Sequence, residues 1–152
     1  MKEQYLPINS IKSLLEKKGW IDIPSSGVSM YPLIKQGDIC RFVPLDSKSS
    51  LKKGEIILFA CEDGRLIGHR YYGSFMEEGV SYYLFKGDTN VRPDPPVEKS
   101  RLIGKLAFIK KGKVNIRPDS MISQLWGTVV ISLPALPRYC KRYMNFKSRL
   151  RI

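Results

Sequence analysis

The sequence predicts a mainly β domain, barrel-like or sandwich-like, with a short helix before it and a helical, basic tail after it. Three observations carry this. Apolar runs of strand length recur from Ile21 to Ile116. Glycine-bearing turns divide them, among them Glu62-Asp63-Gly64, Glu77-Glu78-Gly79 and Lys110-Lys111-Gly112. Ten prolines in 152 residues argue against a helical bundle. Short strands at this spacing, with such turns, belong to all-β folds. The length suits one hydrophobic core. The organisation reads as a domain over 1–118 and an extension over 119–152.

At the start of the chain, Ile8, Ile11, Leu14 and Leu15 recur at helical spacing, which predicts an amphipathic helix over roughly 9–18. Asn9 or Ser10 is the expected cap and Gly19 the expected stop, with Lys12, Lys17 and Lys18 on the polar side. Ile21 and Ile23 then alternate with polar residues. Asp38 to Pro44 reads as a strand built on Ile39, Cys40, Phe42 and Val43. Leu51-Lys52-Lys53-Gly54-Glu55 is a turn before the apolar run Ile56 to Ala60. Glu62-Asp63-Gly64 leads into a return strand, Leu66 to Tyr72. Val80 to Phe85, Ile103 to Ile109 and Lys113 to Ile116 complete the strands. Asp119 is placed to cap a helix through about Trp126.

The formal charge of +12 implies affinity for an anionic surface, either phospholipid or nucleic acid. It is concentrated in the tail. Arg138 to Ile152 holds six basic residues and no acidic one, with aromatic and apolar residues between them. Such a segment, with the apolar stretch from Leu125 to Leu136 before it, suits an anionic membrane surface over 125–152. Packing its apolar side on the domain is an equal alternative, and nucleic acid is a less favoured partner. Cys40, Cys61 and Cys140 are odd in number and widely spaced, which suggests neither a zinc site nor a disulfide framework. Residues 1–7 lack the apolar run of a secretion signal, and no stretch reaches the length of a spanning helix. The expected location is cytoplasmic, with the tail at most peripheral on a membrane.

The chemistry is expected around Ser29, in Ser25-Ser26-Gly27-Val28-Ser29-Met30-Tyr31-Pro32 with Gly37-Asp38 beyond. Gly27 permits a sharp turn or a close approach. Pro32 removes a donor and ends any regular central strand. A turn that presents a hydroxyl is one way to build a serine nucleophile, which then needs a base. A lone Gly-x-Ser is common by chance, so the base must come from elsewhere. His69, in Gly68-His69-Arg70, is the single histidine and suits a general base near neutrality. A desolvated lysine is the alternative. Lys86-Gly87-Asp88-Thr89-Asn90-Val91-Arg92-Pro93-Asp94 supplies two carboxylates six residues apart. A turn would explain each of them. A carboxylate is also what a catalytic imidazole needs to hold its tautomer.

These stretches, with Leu51 to Phe59 and Ile103-Gly104-Lys105, resemble the type I signal peptidases in order and spacing over roughly Ser25 to Ile109. The wider superfamily includes the LexA-type self-cleaving repressors. His69-Arg70 and the Lys-Gly-Asp-x-Asn loop are similar to the histidine-base branch of endoplasmic reticulum and archaea. The resemblance implies a serine endopeptidase with Ser29 as nucleophile, His69 as base, Asp94 as triad acid and Asp88 as a second required aspartate. It sets Gly27, Met30 and Pro32 around the oxyanion and substrate. It implies no metal and no cofactor, and a leader or precursor peptide as substrate, cut beside small side chains. Three features differ from the family. No spanning segment precedes the serine box, Gly27 stands where many members have serine, and the chain is compact. A LexA-like regulator that cuts itself or a partner, and a catalytically silent module that docks peptides or membranes, are the alternative readings.

Overall fold

The computed structural model describes residues 7–48, 50–118, 121–133 and 135–149. Asp119, residues 1–6 and residues 150–152 lie outside them, so the expected cap at Asp119 and the ends of the chain have no structural description. The chain is mainly β. Among the described residues, eight strands form one antiparallel sheet that curls into a half-barrel, accompanied by three short helices. The strands are β1 (Ile21–Pro24), β2 (Ile39–Pro44), β3 (Ile56–Ala60), β4 (Leu66–Glu77), β5 (Val80–Lys86), β6 (Val97–Glu98), β7 (Leu102–Lys111) and β8 (Val114–Ile116). Their order is β1-β2-β7-β3-β4-β5-β6, with β8 on β7.

The apolar run of β3 is buried along its whole length because the sheet is covered on both faces there. Its residues alternate between two cores. Ile56, Leu58 and Ala60 join the larger one, with Phe42, Ile103, Leu106 and Ile109. Ile57 and Phe59 join a smaller aromatic one, with Tyr71 and Phe85. Phe59 stacks on Phe85 at 4.6 Å between ring centroids. It also meets the His69 ring edge-on at 6.3 Å, so the aromatic core forms one wall behind that histidine.

Helix α1 runs Ile8–Lys18 and covers the larger core through Ile11 and Leu15. Neither Asn9 nor Ser10 caps it. Pro7 is the N-cap, and its carbonyl accepts from the Ser10 and Ile11 N–H groups. Proline suits this place because it has no N–H to orphan. Leu14, expected on the apolar face, is exposed. It stands about 100° round the helix from Leu15 and so misses the stripe that Ile11 and Leu15 define.

Strand β4 is longer than expected and continues beyond Tyr72 to Glu77. A bulge between Tyr71 and Gly73 bends it, and the second half pairs with β5. The hairpin turns at Glu78 and Gly79, both with positive φ, as a tight two-residue turn demands. The two-residue β6 after Pro95-Pro96 was not expected, since paired prolines mask a strand start. Helix α2, Met121–Ser132, runs past Trp126, and α3, Leu136–Arg149, carries the basic tail. No helix among the described residues is long and apolar enough to cross a membrane.

Candidate active site

Three segments converge at the open end of the sheet. The turn after β1 carries Ser29. Strand β4 carries His69 opposite Ile57 of β3. The loop between β5 and β6 carries Asp88 and Asp94. Ser29 Oγ lies 2.8 Å from His69 Nε2, and His69 Nδ1 lies 2.6 Å from Asp94 Oδ2. A carboxylate only accepts hydrogen bonds, so Nδ1–H donates to Asp94 and Nε2 is left to accept the Ser29 hydroxyl. This is the tautomer a general base requires. The imidazole is buried and Ser29 is half-buried. Ser29 Oγ thus bonds an imidazole; no lysine bonds it among the described residues.

Local bonding fixes each member. The Asp94 N–H donates to the Phe85 carbonyl, which folds the loop back on the end of β5. The Thr89 N–H donates to the Ser29 carbonyl at 2.9 Å, and the Thr89 hydroxyl lies 3.3 Å from the carbonyls of Val28 and Ser29. The loop therefore grips the serine turn by its backbone. Gly87 packs directly on the Ser29–His69 pair. A Cβ there would stand 3.0 Å from His69 Nε2, 3.0 Å from Ser29 Cβ and 2.9 Å from Asn90 Nδ2. A side chain at this position would force those three side chains to shift.

Asp88 does not touch His69. Its fully buried carboxylate receives Arg70 Nε at 2.7 Å and Arg70 Nη2 at 3.1 Å. Trp126 Nε1 adds a third bond at 2.9 Å. Burial pushes the Asp88 carboxyl up from its ordinary value, and the Arg70 guanidinium and the indole N–H oppose that rise. Arg70 is equally buried and gives Nη1 to the Gly54 carbonyl at 3.0 Å. The Arg70–Asp88 pair joins the residue after His69 to the residue before Thr89.

A cleft of about 680 Å³ opens beside Ser29. One wall is the stretch from Ile23 to Gly27, the other is Arg65 to His69, and Met30, Phe42 and Leu58 form the floor. Of the residues expected around substrate, Gly27 lines the cleft and Met30 lies buried beneath it. Pro32 is exposed and not part of the lining. The close approach expected as one use of Gly27 is not found, since a Cβ built on it meets nothing within 4 Å, and its φ is not positive. The Ser29 N–H carries no hydrogen bond among the described residues, which leaves a donor beside the Ser29 hydroxyl. Among the described residues no three His, Cys, Asp or Glu side chains are grouped to hold a metal ion.

The bonding of Asp88 to Arg70 is the one expected from the sequence for an aspartate near the site but off the imidazole. Thr89, Gly87 and Trp126 did not emerge as site residues from the sequence, although Thr89 and Gly87 adjoin Asp88, which did. Trp126 has no such signal, because it lies 38 residues beyond Asp88. No protein-family model matches the chain, and no curated protein matches it.

Proposed function

We propose that the protein is a serine endopeptidase of the signal-peptidase type, in which Ser29 attacks and His69 takes its proton. The observation that carries this reading is the continuous bonding Ser29 Oγ–His69 Nε2–His69 Nδ1–Asp94 at 2.8 and 2.6 Å. Ser29 Oγ adds to the scissile carbonyl as its proton passes to Nε2. Asp94 stabilises the imidazolium, and the oxyanion forms against the Ser29 N–H. Collapse of the adduct breaks the C–N bond, the leaving amine takes the proton from Nε2, and an acyl-Ser29 remains for water to hydrolyse. The bonded set speaks against a catalytically silent module.

The substrate in this reading is an extended leader or precursor peptide made in the same cell, bound on the cytoplasmic side. Both cleft walls support it. Among the described residues, strand β1 pairs only with β2, and Leu66 to His69 of β4 pair only with β3, because β5 joins from Arg70 onward. Two open strand edges flank one cleft, and an extended chain recognises such edges by main-chain hydrogen bonds. The basic tail is proposed to lie on an anionic lipid surface. A serine-directed fluorophosphonate, read by mass spectrometry, tests the reaction. The expected result is one adduct, on Ser29, absent from Ser29→Ala and slowed in His69→Ala. A folded protein that takes no label would overturn the reading in favour of a peptide-docking module.

A further inference from the structure

We propose that Trp126 on α2 is a positioning residue of the active site, holding the Arg70–Asp88 pair and through it the loop that grips Ser29. This inference rests on the serine-peptidase reading of Ser29 and His69. The Asp88 carboxylate has three donors on its two oxygens, and one of them is the indole N–H. Without that N–H, an acceptor with no exposure to solvent would lose one of three partners. The fit of α2 is specific to this place. At Gly127, the next residue, a Cβ would stand 2.9 Å from Arg70 Nη1 and 3.3 Å from Cζ, so the helix backbone lies on the guanidinium face. One turn on, Val130 is buried. Helix α2 contains no charged residue, so the Trp126 N–H is its charge-assisted link to the buried pair.

The consequence for chemistry follows from adjacency. Arg70 is the neighbour of His69, and Asp88 lies between Gly87, packed on Nε2, and Thr89, bonded to the Ser29 carbonyl. A shift of Asp88 therefore moves both groups that set the Ser29–His69 approach. Displacement of reacting groups by a fraction of an ångström is enough to slow a reaction many-fold. A helix that the chain order sets far from the site thus completes it.

The test is the acylation of the full chain by the fluorophosphonate, with thermal midpoints measured beside it. Trp126→Phe keeps the ring and removes the N–H. The expected result is a fall of about tenfold in the saturating acylation rate at an unchanged half-saturating probe concentration. In the Asp88→Asn background the same substitution should have little further effect, since its route runs through that carboxylate. An unchanged rate in Trp126→Phe, with or without a lower midpoint, overturns the proposal and leaves Trp126 a fastening for α2. An equal fall in both backgrounds overturns it too. Should Trp126→Phe fail to fold, Gly127→Ala presses on Arg70 from the same helix and decides by the same rate. Absence of label in the wild-type chain would instead sink the peptidase reading itself, so the two failures are told apart.

Discussion

Ser29 and His69 are expected to act as one unit. Ser29→Ala and His69→Ala should each lower cleavage by about six orders of magnitude while leaving the fold intact, and the double variant should be scarcely worse than either. Single-turnover rates on all three variants check this. Near-normal activity in His69→Ala would mean that another group is the base. Both residues were legible in the sequence because few others compete for their roles. His69 is the single histidine, and Ser29 lies in a turn that no regular strand continues. The division between the two carboxylates was legible only through the resemblance, since either could have met the imidazole by spacing alone. A second titratable residue gives a separate expectation. Cys40 is buried in the larger core, and burial, with the nearby Asp38 charge, pushes its thiol up to about 11. Its folded value is raised, so the unfolded chain loses its proton first as pH rises from about 9. Across that window the folded state holds more protons, and stability falls with pH. Cys40→Ser removes the window; pH-dependent denaturation of both proteins should show a smaller alkaline loss in the variant. The same burial should keep Cys40 unreactive to alkylating agents at pH 8 in the folded chain.

At the scale of elements, the loop 86–94 is tied to the end of β5, to the serine turn and to Arg70. Gly87→Ala should lower activity about a hundredfold by forcing its Cβ against Nε2 and Ser29 Cβ, with a much smaller effect on the thermal midpoint. Cleavage or labelling rates beside a melting curve decide it; a normal rate would show that the loop yields. The strands that frame this loop were readable because their apolar runs and glycine turns follow backbone rules that act locally. What escaped the sequence depends on partners far away in the chain. The burial of β3 on both faces looked like any apolar run. The second half of β4, Gly73 to Glu77, has too few apolar residues to announce a strand, and it is held by its pairing with β5. Pro7 starts α1 although the side chains of Asn9 and Ser10 look like better caps, because a carbonyl alone suffices where the helix is docked by Ile11 and Leu15. The site shows the same boundary. The bonded Ser29, His69 and Asp94 are recognisable by residue type alone. The indole that completes the Asp88 shell is an ordinary aromatic until the fold brings α2 across Arg70.

For the whole molecule, charge and apolar exposure meet in one place. Six basic residues between Arg138 and Arg151 equal half of the net +12, and no acidic residue follows Asp119. The apolar stretch before them divides between two faces. Trp126 and Val130 turn towards the sheet, so they are not available to lipid. Leu125 and Leu133 are 67% and 52% exposed, and Tyr139 on α3 is 70% exposed. Interfacial binding needs both an inserted apolar part and an electrostatic part, since neither is sufficient alone. Each basic side chain near an anionic leaflet contributes about 1 kcal/mol, and less as salt shortens the screening length. Removing three of them is therefore expected to weaken binding by about a hundredfold at low salt. The measurement is sedimentation of the full chain with vesicles of phosphatidylcholine, with and without phosphatidylserine. The wild type should pellet with the anionic vesicles and be released by high salt. The triple variant Arg138→Gln, Lys141→Gln, Arg142→Gln should remain largely in solution. Leu125→Gln with Leu133→Gln should weaken binding at every salt concentration, because the apolar contribution is not screened. All these changes face outward, so fluorophosphonate labelling of Ser29 should be unchanged without lipid and reports that the site is intact. Equal sedimentation by wild type and triple variant, or none by either, would defeat the membrane assignment. Binding to single-stranded nucleic acid in place of vesicles would hand the basic face to that partner instead.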